Sequence, residues 1–210
     1  MFRFRTAFLA LAAMAFAGHA SARLMHYTSS DAEDLNRVSA YLNSIRTMSG
    51  SFVQIGPDGQ IDQGKFVLSK PGRMRFEYGP PTPTLIVSDG STVAVENTKL
   101  KTQDRYPLGD TPLYLILSDK IDLLHNNDTV GVDREQDALI VKAQYNTSQL
   151  RASITLTFSQ PELELRQWTV VDSQGQSTTV ALRNVQTGTP VNAAQFVVPD
   201  RNPFTHRIRE

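Results

Sequence analysis

The chain has 210 residues, no cysteine, and 21 lysines and arginines set against 21 aspartates and glutamates. Without cysteine, disulfides, thiol nucleophiles and thiolate metal sites are excluded. A balanced charge also argues against nucleic acid as a partner, because phosphate binding draws on a basic excess or patch.

The first element in chain order is an address rather than part of a fold. Arg3 and Arg5 open it, Ala7 to Ala17 is an almost unbroken apolar run, and Ala20-Ser21-Ala22 offers a small-x-small cleavage site. This is the pattern of a secretory signal peptide over residues 1–22, cleaved near Ala22. The run is about half of the ~20 residues a membrane helix needs. No cysteine follows that could be acylated, so the mature chain is expected to be soluble. Residues 23–210 are enough for one domain with a substantial core. They carry 19 basic and 21 acidic residues, a formal balance of −2.

A helix is predicted over Asp31–Arg46, capped by Ser30 or Asp31. Leu35, Val38, Leu42 and Ile45 recur at three- and four-residue spacing, while Asp34, Arg37, Asn43 and Arg46 form a polar face. Short β segments follow. Gly56-Pro57-Asp58-Gly59 separates Ser51–Ile55 from Gln63–Ser69, and Lys70-Pro71-Gly72 breaks the chain before Arg73–Tyr78. In that segment Arg73, Arg75 and Glu77 point one way and Met74, Phe76 and Tyr78 the other. Pro80, Pro81 and Pro83 lead into Leu85–Ser88, Asp89-Gly90 turns the chain into Thr92–Glu96, and Lys99–Asp104 follows.

Thr111-Pro112 then opens a second helix predicted to run through Leu124, apolar on nearly every side and so expected to meet apolar surface all round. Thr129–Asp133, Ala138–Ala143, Ala152–Phe158, Glu164–Asp172 and Gln176–Val185 are each strand-length. The tail from Pro199 to Glu210 is polar, with a poorly ordered end expected. The count is about eleven strands, and meandering strands with one apolar face predict a mainly β fold, a single curved antiparallel sheet with both helices on its concave side.

The search for chemistry finds little. His26, His125 and His206 are isolated, with no zinc-binding spacing, no G-x-S-x-G elbow and no phosphate-cradling loop. No catalytic residue, metal ligand or cofactor site is predicted, and the chain is read as a non-enzyme. What remains is apolar surface. Phe66, Leu68, Met74, Phe76, Tyr78, Val87, Ile154, Leu156 and Phe158 are expected to face the second helix across a hollow that two short helices leave unfilled.

The order of these segments carries a resemblance. Gly64-Lys65-Phe66, Ser69-Lys70-Pro71-Gly72-Arg73-Met74-Arg75-Phe76-Glu77-Tyr78, Pro80-Pro81 and Leu85-Ile86-Val87-Ser88-Asp89-Gly90 follow one another as in the LolA family. Ser51-Phe52-x-Gln54, Thr111-Pro112-Leu113 and Ala193-Ala194-Gln195-Phe196 before Pro199 are similar to it as well. The resemblance spans nearly the whole mature chain. It implies an unclosed β-barrel with a helical lid (Pro112, Leu113, Tyr114, Leu115, Ile116, Leu117) over a cavity that takes lipoprotein acyl chains. It also implies a monomeric periplasmic carrier, loaded by a LolCDE-like transporter of the inner membrane and unloaded on a LolB-like receptor of the outer membrane. Lys70 occupies the place of the family's lid-latching Arg. A carrier of another lipid or glycolipid, and a LolA-like periplasmic sensor or interaction domain, are the alternatives.

Overall fold

In the computed structural model, which describes residues 27–126, 128–146 and 151–198, the first helix starts at Thr28. The Thr28 hydroxyl accepts from the Asp31 N–H at 3.1 Å, and the Asp31 carboxylate accepts the Thr28 N–H at 3.0 Å. This reciprocal box satisfies two donors that a helix end leaves open. The helix, α1, therefore runs Ser29–Ser44, with its cap ahead of the Ser30 or Asp31 anticipated, and buries Leu35, Val38 and Leu42. The expected signal peptide and the expected polar tail lie outside the described residues.

Eleven strands follow: β1 (Thr47–Ile55), β2 (Ile61–Ser69), β3 (Arg73–Tyr78), β4 (Thr84–Asp89), β5 (Thr92–Asn97), β6 (Thr102–Pro107), β7 (Thr129–Arg134), β8 (Ala138–Asn146), β9 (Arg151–Ser159), β10 (Leu165–Val171) and β11 (Ser177–Thr187). They form one sheet in the order β6-β5-β4-β3-β2-β1-β11-β10-β9-β8-β7, with every pair antiparallel. Two meanders are thus welded where the first strand meets the last, with Phe52 opposite Leu182 and Gln54 opposite Val180. β6 and β7 are the two edges, and no pairing joins them among the described residues. The barrel is unclosed.

The sheet bends hard. Phe76 on β3 and Trp168 on β10 are four strand spacings apart in the order above, about 19 Å at ~4.8 Å per strand. Their ring centroids nevertheless lie only 6.0 Å apart, a contact that a flat sheet could not make. Alternation sorts the faces: Ala152, Ile154, Leu156 and Phe158 on β9 are buried, while the residues between them are not. α1 and the segment between β6 and β7 join these side chains in one core.

Both edges are protected. The Arg134 guanidinium of β7 donates to Asp34 at 2.7 Å and to Asp31 at 2.9 Å, which lays α1 along that edge. β6 carries Asp104 and Arg105 and ends in Pro107, features that discourage further strand pairing. Among the described residues the convex face is covered only locally, where the 3-10 turn Ala193–Phe196 packs on β3 and β4. Arg73 lies over the Phe196 ring at 5.9 Å, and Arg75 donates to the Gln195 carbonyl at 3.5 Å.

Candidate functional site

The concave wall is built from aromatics laid over glycines. Phe66 pairs across the β1–β2 ladder with Gly50, and Phe52 with Gly64. A Cβ at Gly50 would come within 2.9 Å of the Phe66 ring, and one at Gly64 within 2.8 Å of the Phe52 ring. Each glycine therefore leaves the space its neighbour's ring occupies. The result is a cluster in which Phe76 stacks on Phe66 at 5.6 Å and meets Phe52 edge-on at 5.0 Å. Tyr78 meets Phe52 at the same distance, and Trp168 closes the cluster from the other meander. Such pairs add about 0.5–1.5 kcal/mol each beyond area burial.

The cover over this wall is the segment between β6 and β7. A 3-10 turn at Leu108–Asp110 precedes a single helical turn, α2 (Tyr114–Leu117). Leu115, Ile116 and Leu117 are buried, and so are Ile121 and Leu123 beyond them. The helix stops at Leu117 rather than at the predicted Leu124 because α1 competes for the backbone. Asn43 accepts the Ile121 N–H and donates to the Ile121 carbonyl, both at 2.8 Å, and the Ser39 hydroxyl accepts the Leu123 N–H at 3.0 Å. With those groups taken, the chain leaves the helix at Ser118 (φ −57, ψ 150) and continues through bends and a turn. Arg46 adds an exposed ion pair with Asp119 at 3.0 Å. Ser39, Asn43 and Arg46 stand four and three residues apart, on one face of the helix.

The basic-Pro turn reaches the cover in a way the sequence did not foretell. The Gly72 N–H donates to the Leu117 carbonyl at 2.9 Å. Gly72 has φ +69, and a Cβ there would sit 2.7 Å from the Gly90 carbonyl oxygen, so only glycine fits between the two turns. Lys70, the expected latch, turns elsewhere: its buried ammonium donates to the Leu42 carbonyl near the end of α1 at 2.9 Å. Burial, helped by nearby Arg46 and opposed by Asp119, lowers its pKa from 10.5 to about 8. At the other end of the cover, the Leu108 N–H donates to the Ser91 carbonyl at 2.7 Å and the Tyr145 hydroxyl to the Gly109 carbonyl.

The expected hollow is mostly filled. A cleft of about 160 Å³ remains between Gln54, Met74, Phe76, Tyr78, Ile86, Leu113, Trp168, Val170, Thr178 and Val180. A further space of about 20 Å³ lies by Lys70, Leu42, Met48, Leu68, Ile116 and Leu182. Ligand pockets are typically ~300–1,000 Å³, and the difference is taken up by the cover's own leucines. On the outer flank of α2 is a larger polar cleft of about 560 Å³, bordered by Tyr114, Asp119, Asp122, His125, Asp128 and Tyr145. There His125 pairs with Asp122 at 2.9 Å. Among the described residues no group of acidic and histidine side chains is arranged for a metal ion.

The predicted site residues divide accordingly. Met74, Phe76 and Tyr78 line the apolar cleft, with Leu113 from the lid. Phe66 lies buried within the aromatic cluster, and Leu68 borders the small space near Lys70. Ile154, Leu156 and Phe158 are inward and buried but border neither space. Val87 is on the wrong face: it pairs with Arg75 and so lies on the convex side, where the C-terminal turn packs. The sequence reading missed Phe52, Gln54, Ile86, Trp168, Val170, Thr178 and Val180. Trp168 was concealed by a bulge between Leu165 and Gln167, which lets Leu165 and Trp168 both face inward despite their odd separation.

The model of the family described as "Outer membrane lipoprotein carrier protein LolA" matches residues 43–199. A protein of Chromohalobacter salexigens named outer-membrane lipoprotein carrier protein is 32% identical over 173 residues, which are 76% of this chain and 80% of that one. A protein of the same name from Azotobacter vinelandii is 24% identical over 198 residues, covering 90% and 91%. Among solved structures, a LolA superfamily protein from Nitrosomonas europaea aligns over 78% of this chain and 97% of its own, with a TM-score of 0.42 and 8% identity.

Proposed function

This chain belongs to the LolA family, and from that premise we propose that it carries lipoproteins across the periplasm by sheltering their acyl chains beneath α2. The observation that carries the reading is the cleft under the cover: it is lined mainly by aromatic and aliphatic side chains, with no charged group among them. Its present volume suits only a short length of hydrocarbon, so loading must displace the cover. Burying an acyl chain is worth about 0.8 kcal/mol per methylene. The cost of opening is the exposure of Leu113, Leu115, Ile116 and Leu117, and an incoming chain restores that burial by taking their place. Cargo and cover thus compete for one apolar wall, so loading shifts the lid toward its open state. The same competition keeps the net affinity below that of a bilayer and lets the load leave.

The chain is proposed to receive its cargo from a LolCDE-like transporter and to deliver it to a LolB-like receptor. No catalytic step is required of it. Among the described residues no helix is long and apolar enough to cross a membrane, and the export signal is read from residues 1–22 alone. Replacing Phe76 or Leu115 with glutamate is expected to abolish lipid co-purification from a periplasmic extract while the circular dichroism spectrum stays that of the parent. Undiminished lipid in a folded variant would overturn the assignment. Mass spectrometry of the purified protein separates cargoes: a triacylated lipoprotein supports this reading, and a free glycolipid points to a different amphiphile.

A further inference from the structure

The apolar cleft has a polar pole. Of its lining residues Gln54, Tyr78 and Thr178 carry polar side chains, besides the indole N–H of Trp168. Gln54 is next to the last residue of β1, Tyr78 is the last of β3, and Thr178 is the second of β11. Because the strands are antiparallel, these positions fall at the same end of the sheet. The Tyr78 hydroxyl donates its single proton to Gln54 Oε1 at 2.6 Å. That bond fixes the amide and leaves Gln54 Nε2 with no hydrogen bond among the described residues. A held donor therefore borders a space otherwise walled by Phe76, Trp168, Met74 and aliphatic side chains.

We propose that Gln54 Nε2 recognises a neutral acyl carbonyl, an ester or amide, at the head of a chain whose hydrocarbon runs inward toward Phe76 and Trp168. The proposal deepens the carrier reading above and rests on it. An acceptor without charge is what this pole suits. No lysine, arginine or histidine lines the cleft, so a carboxylate would find no counter-charge there. The acidic neighbour is unfavourable to an anion: Asp62 lies opposite Gln54 in the β1–β2 ladder and accepts from the Thr82 hydroxyl. Burial, with the field of Asp62 added, raises the Tyr78 pKa to about 12. The hydroxyl therefore stays a donor to Gln54 at any physiological pH. Gln54 is the recognition group, and Tyr78 is a positioning residue that holds it.

This predicts a carrier that prefers esterified chains to free fatty acids. The test uses the full mature chain and displacement of an apolar fluorescent dye. Four probes are compared: a synthetic diacylated lipopeptide, methyl palmitate, hexadecyl methyl ether of the same length without a carbonyl, and palmitate at pH 8. The parent is expected to bind methyl palmitate about fivefold more tightly than the ether, the size of one hydrogen bond in water-exposed competition. Palmitate should bind more weakly than its methyl ester. In Gln54→Leu the ester should fall to the level of the ether, with ether binding unchanged. In Tyr78→Phe the ester preference should shrink without vanishing. Equal affinity of ester and ether for the parent overturns the subsite and needs no variant to fold. If the lipopeptide also displaces dye in that case, the carrier reading survives. If no probe displaces the dye, the carrier reading itself fails.

Discussion

The two halves of the cover are built by opposite means. Residues 118–124 are stitched to α1 by side chains: Asn43 takes both backbone groups of Ile121, Ser39 takes the Leu123 N–H, and Arg46 pairs with Asp119. Residues 111–117 satisfy their backbone mostly within themselves, through the bonds of a single helical turn. Among the described residues, apart from bonds with the flanking Leu108 and Ser118, the one backbone bond they take from elsewhere is the Gly72 N–H on the Leu117 carbonyl. A lone turn has little stability of its own, so α2 stays in place by the packing of Leu115, Ile116 and Leu117 into the core that includes the aromatic wall. In the proposed loading an acyl chain competes for that same packing. It does not compete for the hydrogen bonds of Asn43 and Ser39. Under the proposed loading the difference separates a fixed strap from a displaceable flap, with Ser118 between them.

The comparison breaks most severely if the strap is not part of the permanent core. Leu123 is fully buried, and Leu123→Ala should cost about 3 kcal/mol in urea unfolding. Lipid loading per folded molecule should be unchanged, because the residue borders neither apolar space. Lost loading in the folded fraction would mean that strap and flap move together. A smaller effect sharpens the boundary at Ser118. Asn43→Leu leaves the Ile121 N–H and carbonyl without their partners at a cost of about 2 kcal/mol. Limited proteolysis should then cut residues 118–124 while the sheet resists. Cleavage first within β6 or β7 would place the boundary elsewhere.

How much of this was legible depends on whether a polar residue marks each face. On β3 the alternation of Arg73, Arg75 and Glu77 with Met74, Phe76 and Tyr78 fixes the phase, and the structure follows it. On β4, Leu85, Ile86 and Val87 are apolar in succession, because Ile86 borders the cleft while Leu85 and Val87 are buried on the far side under the C-terminal turn. Nothing in that run sets the phase, and Val87 was assigned to the wrong face. The bulge in β10 hid Trp168 for a related reason, since one extra residue reverses every later parity. Asn43 and Arg46 have the spacing of a solvated helix face, and their role as the strap's anchors depends on a segment some 75 residues away, which helical periodicity does not register. The glycine pair Gly50 and Gly64 could have been noticed: glycines at strand positions two residues from Phe52 and Phe66 are a local signal that a ring needs room.

The smallest expected effect concerns the anchor shared by both halves. Lys70 ties the turn that carries Gly72, which holds the flap, to the end of α1, which holds the strap. Its pKa falls from 10.5 to about 8 on folding. Between those values the unfolded chain binds a proton that the folded chain does not, so unfolding free energy must rise with pH across the window. Tyr78 acts in the opposite sense: its pKa rises from 10.0 to about 12, so the folded chain retains a proton that the unfolded chain releases above pH 10. The clean interval for Lys70 is therefore pH 8 to 10, where stability should climb by on the order of 1 kcal/mol. Lys70→Met has nothing to titrate there and fits among Leu42, Ile45, Met48 and Leu68, so its stability should stay level over the same interval. A climb of equal size in that variant would show that another group sets the slope and that the ammonium is not what joins flap and strap.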